Sequence, residues 1–186
     1  LINMKKYLKK SKKNIIFFCS SIEEGGVEKN LINICNGIAR NQKISVISAN
    51  KNKKKYFNNK INFISSSTNF FNFKKRLIKS FLCIYLLIKN HKNHKKHNCV
   101  MVSFQSNIIA IIMSKLLNYK IIIRANQSPT NYARNYIKRK IMSLFYKLAD
   151  KIIVNSYDFR KEFNKFFQVR SLVIYNLIET PKTLKK

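Results

Sequence analysis

Short apolar runs alternate with amphipathic segments along the chain, and this alternation restricts the fold more than any other feature of the sequence. Residues 14–20 form a continuous apolar run preceded by lysines, which is typical of a strand buried on both faces of a sheet. In residues 27–40 the apolar side chains recur at spacings of three and four, so they share one helical face. The same patterns predict further strands at 43–49, 61–64, 98–104, 120–124, 151–155 and 172–175, and helices at 70–89, 107–117, 135–148 and 156–166.

Strands that alternate with helices in this way predict an α/β fold, a parallel sheet with helices on both faces. The 186 residues are enough for one such domain, and with only two prolines and three glycines no flexible linker divides them. Residues 51–60 are Lys- and Asn-rich and are predicted to be a polar loop. Such sheets bind ligands at the carboxyl ends of their strands. The loops that would form a binding site are therefore those after Phe18, Val102, Ile123 and Val154.

The formal net charge of +31 comes from 38 basic and 7 acidic residues. Such an excess attracts polyanions, but the basic residues are spread along the chain, so nucleic acid is not favoured as a partner. The segment 73–92 combines basic and large apolar residues, which suits a helix lying on an anionic membrane surface. The alternative is an ordinary sheet-covering helix. The membrane-surface candidates are Lys74, Lys75, Arg76 and Lys79.

No metal site or cofactor is predicted. The four cysteines are far apart in apolar runs without a CxxC pair, which favours buried reduced thiols. His91, His94 and His97 lie among lysines with no carboxylate nearby, so a solvated loop is favoured over a metal site. A Ser/His/Asp set at the strand ends and a P-loop lysine motif are both missing from the sequence, which leaves hydrolase and NTPase functions without candidate residues. The first apolar run is too short for a signal peptide, and the longest ones are too short to span a bilayer.

Gly25 and Gly26 follow the first predicted strand and open the first predicted helix, where free N–H groups and a backbone without side chains suit an anionic ligand. The alternative is a tight turn that needs positive φ. The stretch from these glycines through Glu28 to a helix ending in Asn-Gly-Ile-Ala resembles the opening of glycosyltransferase family 4. Further similar segments follow in the family's order: Val-Ser-Phe-Gln-Ser at 102–106, Arg-Ala-Asn at 124–126, Ala-Asp-Lys-Ile-Ile-Val-Asn-Ser at 149–156 and Val-Ile-Tyr-Asn at 173–176.

This resemblance implies the Rossmann-like N-terminal, acceptor-side half of a GT-B fold. It also implies a retaining transferase that moves a sugar from a nucleotide-sugar donor to a glycan or lipid-linked acceptor, as in the assembly of cell-envelope polysaccharide or glycolipid. By position, Gly25 and Gly26 would lie near the donor phosphates. The acceptor side would be lined by Gln105, Arg124, Asn126 and Ser156. Many relatives carry a His after the strand that ends here at Arg124, and this sequence has none there, so no catalytic base is assigned.

The resemblance also sets the expected domain limits. Residues 1–178 are predicted to be the acceptor-side domain and residues 179–186 the start of an interdomain linker, with the C-terminal nucleotide-sugar domain and its paired glutamates absent. The chain is therefore not expected to turn over by itself, and a truncated product, half of a split enzyme and a degenerate remnant all stay open. The expected location is the cytoplasm or the inner face of the cell membrane. The second hypothesis is a non-catalytic basic α/β module that binds an anionic polymer or a membrane surface.

Overall fold

A computed structural model of the protein describes residues 14–23, 25–66, 76–95 and 99–176. Within these ranges the apolar runs form one seven-stranded sheet. Its strands are β1 (Asn14–Phe18), β2 (Lys43–Ile47), β3 (Asn62–Ile64), β4 (Cys99–Ser103), β5 (Lys120–Arg124), β6 (Lys151–Val154) and β7 (Leu172–Val173). Each begins and ends within two residues of its sequence-predicted limits. β1 and β4 are buried along their whole length, as expected of continuous apolar runs in the middle of a parallel sheet.

All six strand pairs are parallel, in the order β3-β2-β1-β4-β5-β6-β7. The order runs outward from β1 through β2 to β3 on one side, and from β4 to β7 on the other. Every crossover between parallel strands requires a long connection, which amphipathic helices provide except between β2 and β3, where the connection is the polar segment of residues 48–61. The predicted fold class is therefore confirmed.

The helices are α1 (Gly26–Ile38), α2 (Arg76–Lys95), α3 (Asn107–Leu116), α4 (Pro129–Tyr132), α5 (Tyr136–Lys147) and α6 (Tyr157–Phe167). They cover both faces of the sheet because successive strand side chains point to opposite sides. On one face Ile16 and Phe18 pack with buried residues of α2, α3, α5 and α6. On the other face Ile15 and Phe17 pack with Leu31 and other residues of α1.

Three local elements differ from the sequence prediction. The helix predicted at 70–89 continues to Lys95, so His91 lies on α2 rather than in a solvated loop, and its Nδ1 is hydrogen-bonded to the hydroxyl of Tyr119 at 2.7 Å. The polar segment predicted as a loop contains a 3-10 helix, Lys51–Tyr56. It is held against α1 by Asn36, whose side chain donates to the carbonyl of Tyr56 and accepts from the backbone N–H of Asn58. The short helix α4 has no apolar periodicity and was not predicted; it has Pro129 at its first position, where the fixed φ of proline suits a helix start.

The four cysteines are buried thiols, as the sequence predicts. Burial raises the pKa of Cys83 to about 12 and that of Cys99 to about 11. In the part of the chain that the structure describes, no helix is long and apolar enough to cross a membrane.

Candidate functional site

The strands β1 and β4 are neighbours in the sheet, but the chain leaves them toward opposite faces, into α1 and α3 respectively. Such a switch point opens a crevice at the carboxyl ends of the two strands. A cavity of about 430 Å³ lies there. Its polar lining includes Glu28, Gln105, Ser106, Asn107, Arg124 and Asn126, and its apolar lining includes Leu77, Ile108, Ile109, Tyr132, Met142 and Tyr146.

Gln105 joins the two loops of the switch point. Its Oε1 accepts from the backbone N–H of Ser21 at 3.1 Å and from Ser20 Oγ at 3.4 Å, and its Nε2 donates to Glu28 Oε1 at 2.9 Å. Gln105 lines the cavity, as expected of an acceptor residue. Its amide oxygen also holds the loop after β1, and its amide nitrogen holds α1 through Glu28. Its binding role stays a prediction.

Gly25 and Gly26 lie at the amino end of α1 and differ in their surroundings. Gly25 is extended, with φ of −175°, and a Cβ built there would lie 2.6 Å from Glu28 Oε2. No atom lies within 4 Å of a Cβ built on Gly26. Since all three glycines of the chain are described and none has positive φ, the turn does not need left-handed backbone. A side chain at Gly25 would displace the carboxylate of Glu28 from its present position, and proximity to donor phosphates stays a prediction for both glycines.

Arg124 ends β5 and is almost fully buried, with 3% of its surface exposed. Its Nη2 donates to Asn176 Oδ1 at 2.6 Å and to the carbonyl of Ile174 at 3.3 Å, and its Cζ lies 5.7 Å from the centre of the Phe104 ring. Its Nε is buried and has no hydrogen-bond partner in the described ranges. Desolvation lowers the pKa of Arg124, but a guanidinium remains charged in proteins.

No described carboxylate neutralises Arg124. The ion pairs found between described side chains join Lys79 to Glu23 and Lys115 to Asp150. A buried cation without a counter-ion is costly, and a cation that also keeps an unused N–H lacks part of its hydrogen bonding as well. Arg124 lines the cavity, so an anionic group bound there would compensate both costs.

Asparagine side chains connect the ends of β4 and β5 at the cavity. Asn126 Nδ2 donates to the carbonyl of Phe104 at 2.9 Å, and Asn107 Nδ2 donates to the carbonyl of Arg124 at 3.2 Å. Asn107 Oδ1 accepts from Ser103 Oγ at 2.8 Å. Asn126 was predicted on the acceptor side and lies in the cavity lining. Asn107 was missed, because a polar residue that opens an apolar helix has no distinctive sequence pattern.

Ser106, another lining residue that was missed, has a φ of 56° and precedes the first residue of α3, without a capping hydrogen bond from its side chain. Left-handed backbone is uncommon for residues other than glycine, and such strain concentrates at binding sites. Its Oγ is hydrogen-bonded to Ser20 Oγ at 3.0 Å and to Ser80 Oγ at 2.7 Å. The hydroxyl thereby links the β1 loop to α2 at the cavity wall.

The apolar half of the cavity rests on an aromatic cluster. The hydroxyls of Tyr132 and Tyr146 are 3.2 Å apart, and Tyr146 packs against the rings of Phe163 and Phe167. Burial, with further contributions from Tyr146, raises the pKa of Tyr132, and burial also raises the pKa of Tyr146. These phenols are therefore neutral, and the cavity offers an apolar wall opposite its charged one.

The remaining sequence-predicted residues lie elsewhere. Ser156 is not part of the cavity lining; its Oγ accepts from the backbone N–H of Phe159 at 3.2 Å and caps α6, so its acceptor role stays a prediction. Lys79 Nζ donates to Ser21 Oγ at 2.9 Å and pairs with Glu23, with 16% of its side chain exposed. Lys74 and Lys75 lie outside the described residues, as does the side chain of Arg76. No group of three or more potential metal ligands occurs in the ranges that the structure describes.

No family model and no curated protein sequence matches the chain. Solved structures are similar to it in fold. HepE of Anabaena in complex with UDP and glucose has a TM-score of 0.62 at 12% identity, over 90% of this chain and 45% of HepE. The lipopolysaccharide outer core galactosyltransferase WaaB in its apo form has a TM-score of 0.58 at 14% identity, over 91% of this chain and 47% of WaaB.

A UGT transferase from Siraitia grosvenorii in complex with UDP has a TM-score of 0.53 at 10% identity, over 87% of this chain and 50% of that one. The chain therefore spans about half the length of these solved structures. Its parallel sheet and surrounding helices match the Rossmann-like half of a GT-B glycosyltransferase fold.

Proposed function

We propose that this chain is the acceptor-side domain of a retaining glycosyltransferase related to family 4, which moves a sugar from a nucleotide-sugar donor to a glycan or lipid-linked acceptor. The observation that carries the proposal is the 430 Å³ cavity at the switch point of a sheet with this fold. Solved structures of the same fold hold UDP, or UDP with glucose. The chain spans about half their length, and the proposal assigns donor binding to a second half, in the same polypeptide or in a separate chain.

The donor is proposed to approach the amino end of α1. The first N–H groups of a helix have no partner within the helix and favour an anion such as a diphosphate. Gly26 is exposed there and leaves open space around its Cα, so a phosphate could approach the backbone closely. Glu28 lies within the same turn, but its carboxylate is held by Gln105 and directed over Gly25. The exposed Gly26 is therefore the better candidate for phosphate contact.

The acceptor is proposed to occupy the cavity with an anionic group at Arg124. Planar N–H groups of a guanidinium match a phosphate or carboxylate, and such charge-assisted hydrogen bonds are strong. Asn126 and Gln105 lie in the same lining and would contact the hydroxyls beside that group. The apolar wall of Tyr132 and Tyr146 would pack against a sugar face or an attached lipid.

Calorimetric titration tests the acceptor site directly. The chain is expected to bind a glycan that bears a phosphate or carboxylate more tightly than its neutral counterpart. Arg124→Gln should lower the affinity for the anionic glycan by about tenfold or more, since a hydrogen bond to a charged group contributes roughly 1.5–3 kcal/mol. Arg170→Gln, at an exposed arginine, is the matched control and should leave the affinity unchanged. Equal affinity of wild type and Arg124→Gln for both glycans would contradict the proposed acceptor site.

The transfer reaction is tested by joining the chain to a donor-binding half and measuring nucleotide release from a panel of sugar nucleotides. Release that depends on the acceptor, with the donor's anomeric configuration kept in the product, is the expected result. An inverted product would contradict the retaining mechanism. If no sugar nucleotide gives nucleotide release while the chain still binds anionic polymers, the transferase proposal fails and the non-catalytic binding module is the better account.

A further inference from the structure

The helices α2, α3 and α5 form one layer over the sheet, which we call the α2–α3–α5 layer. Helices α3 and α5 are in contact, and α2 is joined to α3 by the hydroxyl pair Ser80 and Ser106. Of the fifteen large apolar side chains that are exposed in the described residues, eleven lie on this layer or at its end. These are Leu77, Phe81, Tyr85, Ile88, Ile112, Leu116, Tyr136, Ile137, Ile141, Leu144 and Leu148.

The exposed apolar residues form stripes along the helices. At 100° per residue, Ile137, Ile141, Leu144 and Leu148 fall on one side of α5, and their exposed fractions are 67%, 49%, 64% and 50%. The four exposed residues of α2 follow the same spacing. A helix that covers a sheet normally turns one apolar side inward and a polar side outward. These helices have a second apolar side turned outward, and concentrations of exposed apolar area mark interaction surfaces.

The charge of the layer is of one sign. Its three helices carry ten Lys or Arg residues and no Asp or Glu. Lys79 and Lys115 are paired with Glu23 and Asp150, and the side chains of Arg76 and Lys95 lie outside the described residues. On α5 the exposed Lys138 and Lys140 lie on opposite sides of the apolar stripe, and Lys147 lies beside it at the last position of the helix. Apolar residues bordered by lysines on both sides are the pattern of helices that lie in a membrane interface.

We propose that the α2–α3–α5 layer binds the surface of a membrane containing anionic lipids. The apolar stripes enter the boundary between headgroups and acyl chains, and the bordering lysines bind the lipid phosphates. A second copy of this chain does not fit the surface, because the exposed lysines that border the stripes of two such layers would face each other. These are Lys89, Lys92, Lys138, Lys140 and Lys147. A nucleic acid does not fit either, since eight of the eleven exposed apolar residues are Leu or Ile, which offer neither charge nor a ring for base stacking.

The layer borders the candidate site. Leu77 belongs to the stripe of α2 and also to the cavity lining, and Met142 of the lining follows Ile141 on α5. A membrane under the layer would therefore lie at the apolar side of the cavity, where a lipid-linked acceptor enters without crossing water. This consequence rests on the proposed transferase function. The membrane contact itself does not.

The surface is tested by sedimentation of the chain with vesicles of phosphatidylcholine, with or without phosphatidylglycerol, in the absence of any donor or acceptor. The chain should bind the mixed vesicles and only weakly the neutral ones. The variant Ile137→Ser/Leu144→Ser should lose about tenfold in partitioning for each apolar side chain removed. The variant Lys138→Gln/Lys140→Gln/Lys147→Gln should lose about fivefold for each lysine.

Two matched controls distinguish binding through the α2–α3–α5 layer from non-specific effects of positive charge and exposed apolar residues. Lys51→Gln/Lys54→Gln/Lys55→Gln removes the same charge from exposed lysines of the 3-10 helix, and Tyr157→Ser/Leu172→Ser removes two exposed apolar side chains outside the layer. Both controls should bind like the wild type. Equal losses in control and layer variants would overturn the proposal, as would a wild-type dimer in solution that the stripe variant dissociates. The vesicle assay contains no sugar nucleotide, so a lack of vesicle binding would contradict the membrane proposal without bearing on the transferase proposal.

Discussion

Gly25 lies against the carboxylate of Glu28, so adding a single methyl group there has a calculable cost. The Cβ of Gly25→Ala would lie 2.6 Å from Glu28 Oε2, and no other group except the Glu28 carboxyl carbon at 3.6 Å lies close to it. The carboxylate can swing away, but it then leaves Gln105 Nε2, now 2.9 Å from its other oxygen. Losing a hydrogen bond to a charged, largely buried group costs about 1.5–3 kcal/mol.

A destabilisation of about 2 kcal/mol in a domain of this size lowers Tm by roughly 4–8 °C. Thermal unfolding followed by circular dichroism measures it. Gly26→Ala is the matched control: no atom lies within 4 Å of its added Cβ, and alanine is the better helix former, so Tm should stay the same or rise slightly.

A double-mutant cycle identifies the cause of the effect. With Glu28→Ala in place, the carboxylate is gone and Gly25→Ala should cost less than about 0.5 kcal/mol. If Gly25→Ala lowers Tm by the same amount with and without Glu28, the carboxylate is not the reason for the glycine. If Gly25→Ala and Gly26→Ala have equal effects, the difference between the two positions is refuted.

Three further predictions follow from single contacts. Phe163→Ala, which removes a fully buried ring of the aromatic cluster, should cost about 3–5 kcal/mol in urea unfolding, whereas Tyr157→Ala at an exposed ring should cost less than about 0.5 kcal/mol. Ser156→Ala should cost about 1 kcal/mol as a lost helix cap and leave the affinity for anionic glycans unchanged; a loss of affinity would return Ser156 to the acceptor site. Burial raises the pKa of Cys83 in the folded chain to about 12, against 9.0 for a free thiol. Since only the unfolded chain loses this proton between pH 9 and pH 12, the free energy of unfolding should fall over that range. Cys83→Ala should make this fall with pH less steep.

The order of elements was determined by the sequence because each signal is local. Apolar runs such as residues 14–18 and helical spacings such as those of α1 reflect the neighbours within one or two turns, and every predicted strand and every predicted helix within the described ranges is present. The ends of the elements and the short α4 were less well determined, since these depend on contacts with other elements. Asn36, for example, decides where the 3-10 helix ends through bonds to residues 56 and 58.

The candidate site was only partly determined by the sequence. Gln105, Arg124 and Asn126 follow predicted strands and were assigned to the acceptor side by the resemblance to family 4; they do line one cavity, whereas Ser156, assigned with them, does not. Their partners were not foreseeable, because Gln105 reaches Ser21 across 84 positions and Arg124 reaches Asn176 across 52. Such contacts depend on which strands become neighbours, and strand order is decided by the packing of the whole sheet.

The sequence of α2 and α5 likewise shows that these helices have apolar residues, but it does not show which of those residues other elements of the fold bury. The sequence determines which residues are apolar and basic, since that is composition along a helix of known period. Only the tertiary structure decides that Ile137 and Leu144 stay exposed, that Lys79 pairs with Glu23 rather than facing outward, and that the guanidinium of Arg124 is buried without a described carboxylate. Burial is a property of the assembled layers, because a side chain is removed from water only by elements that come from other parts of the chain.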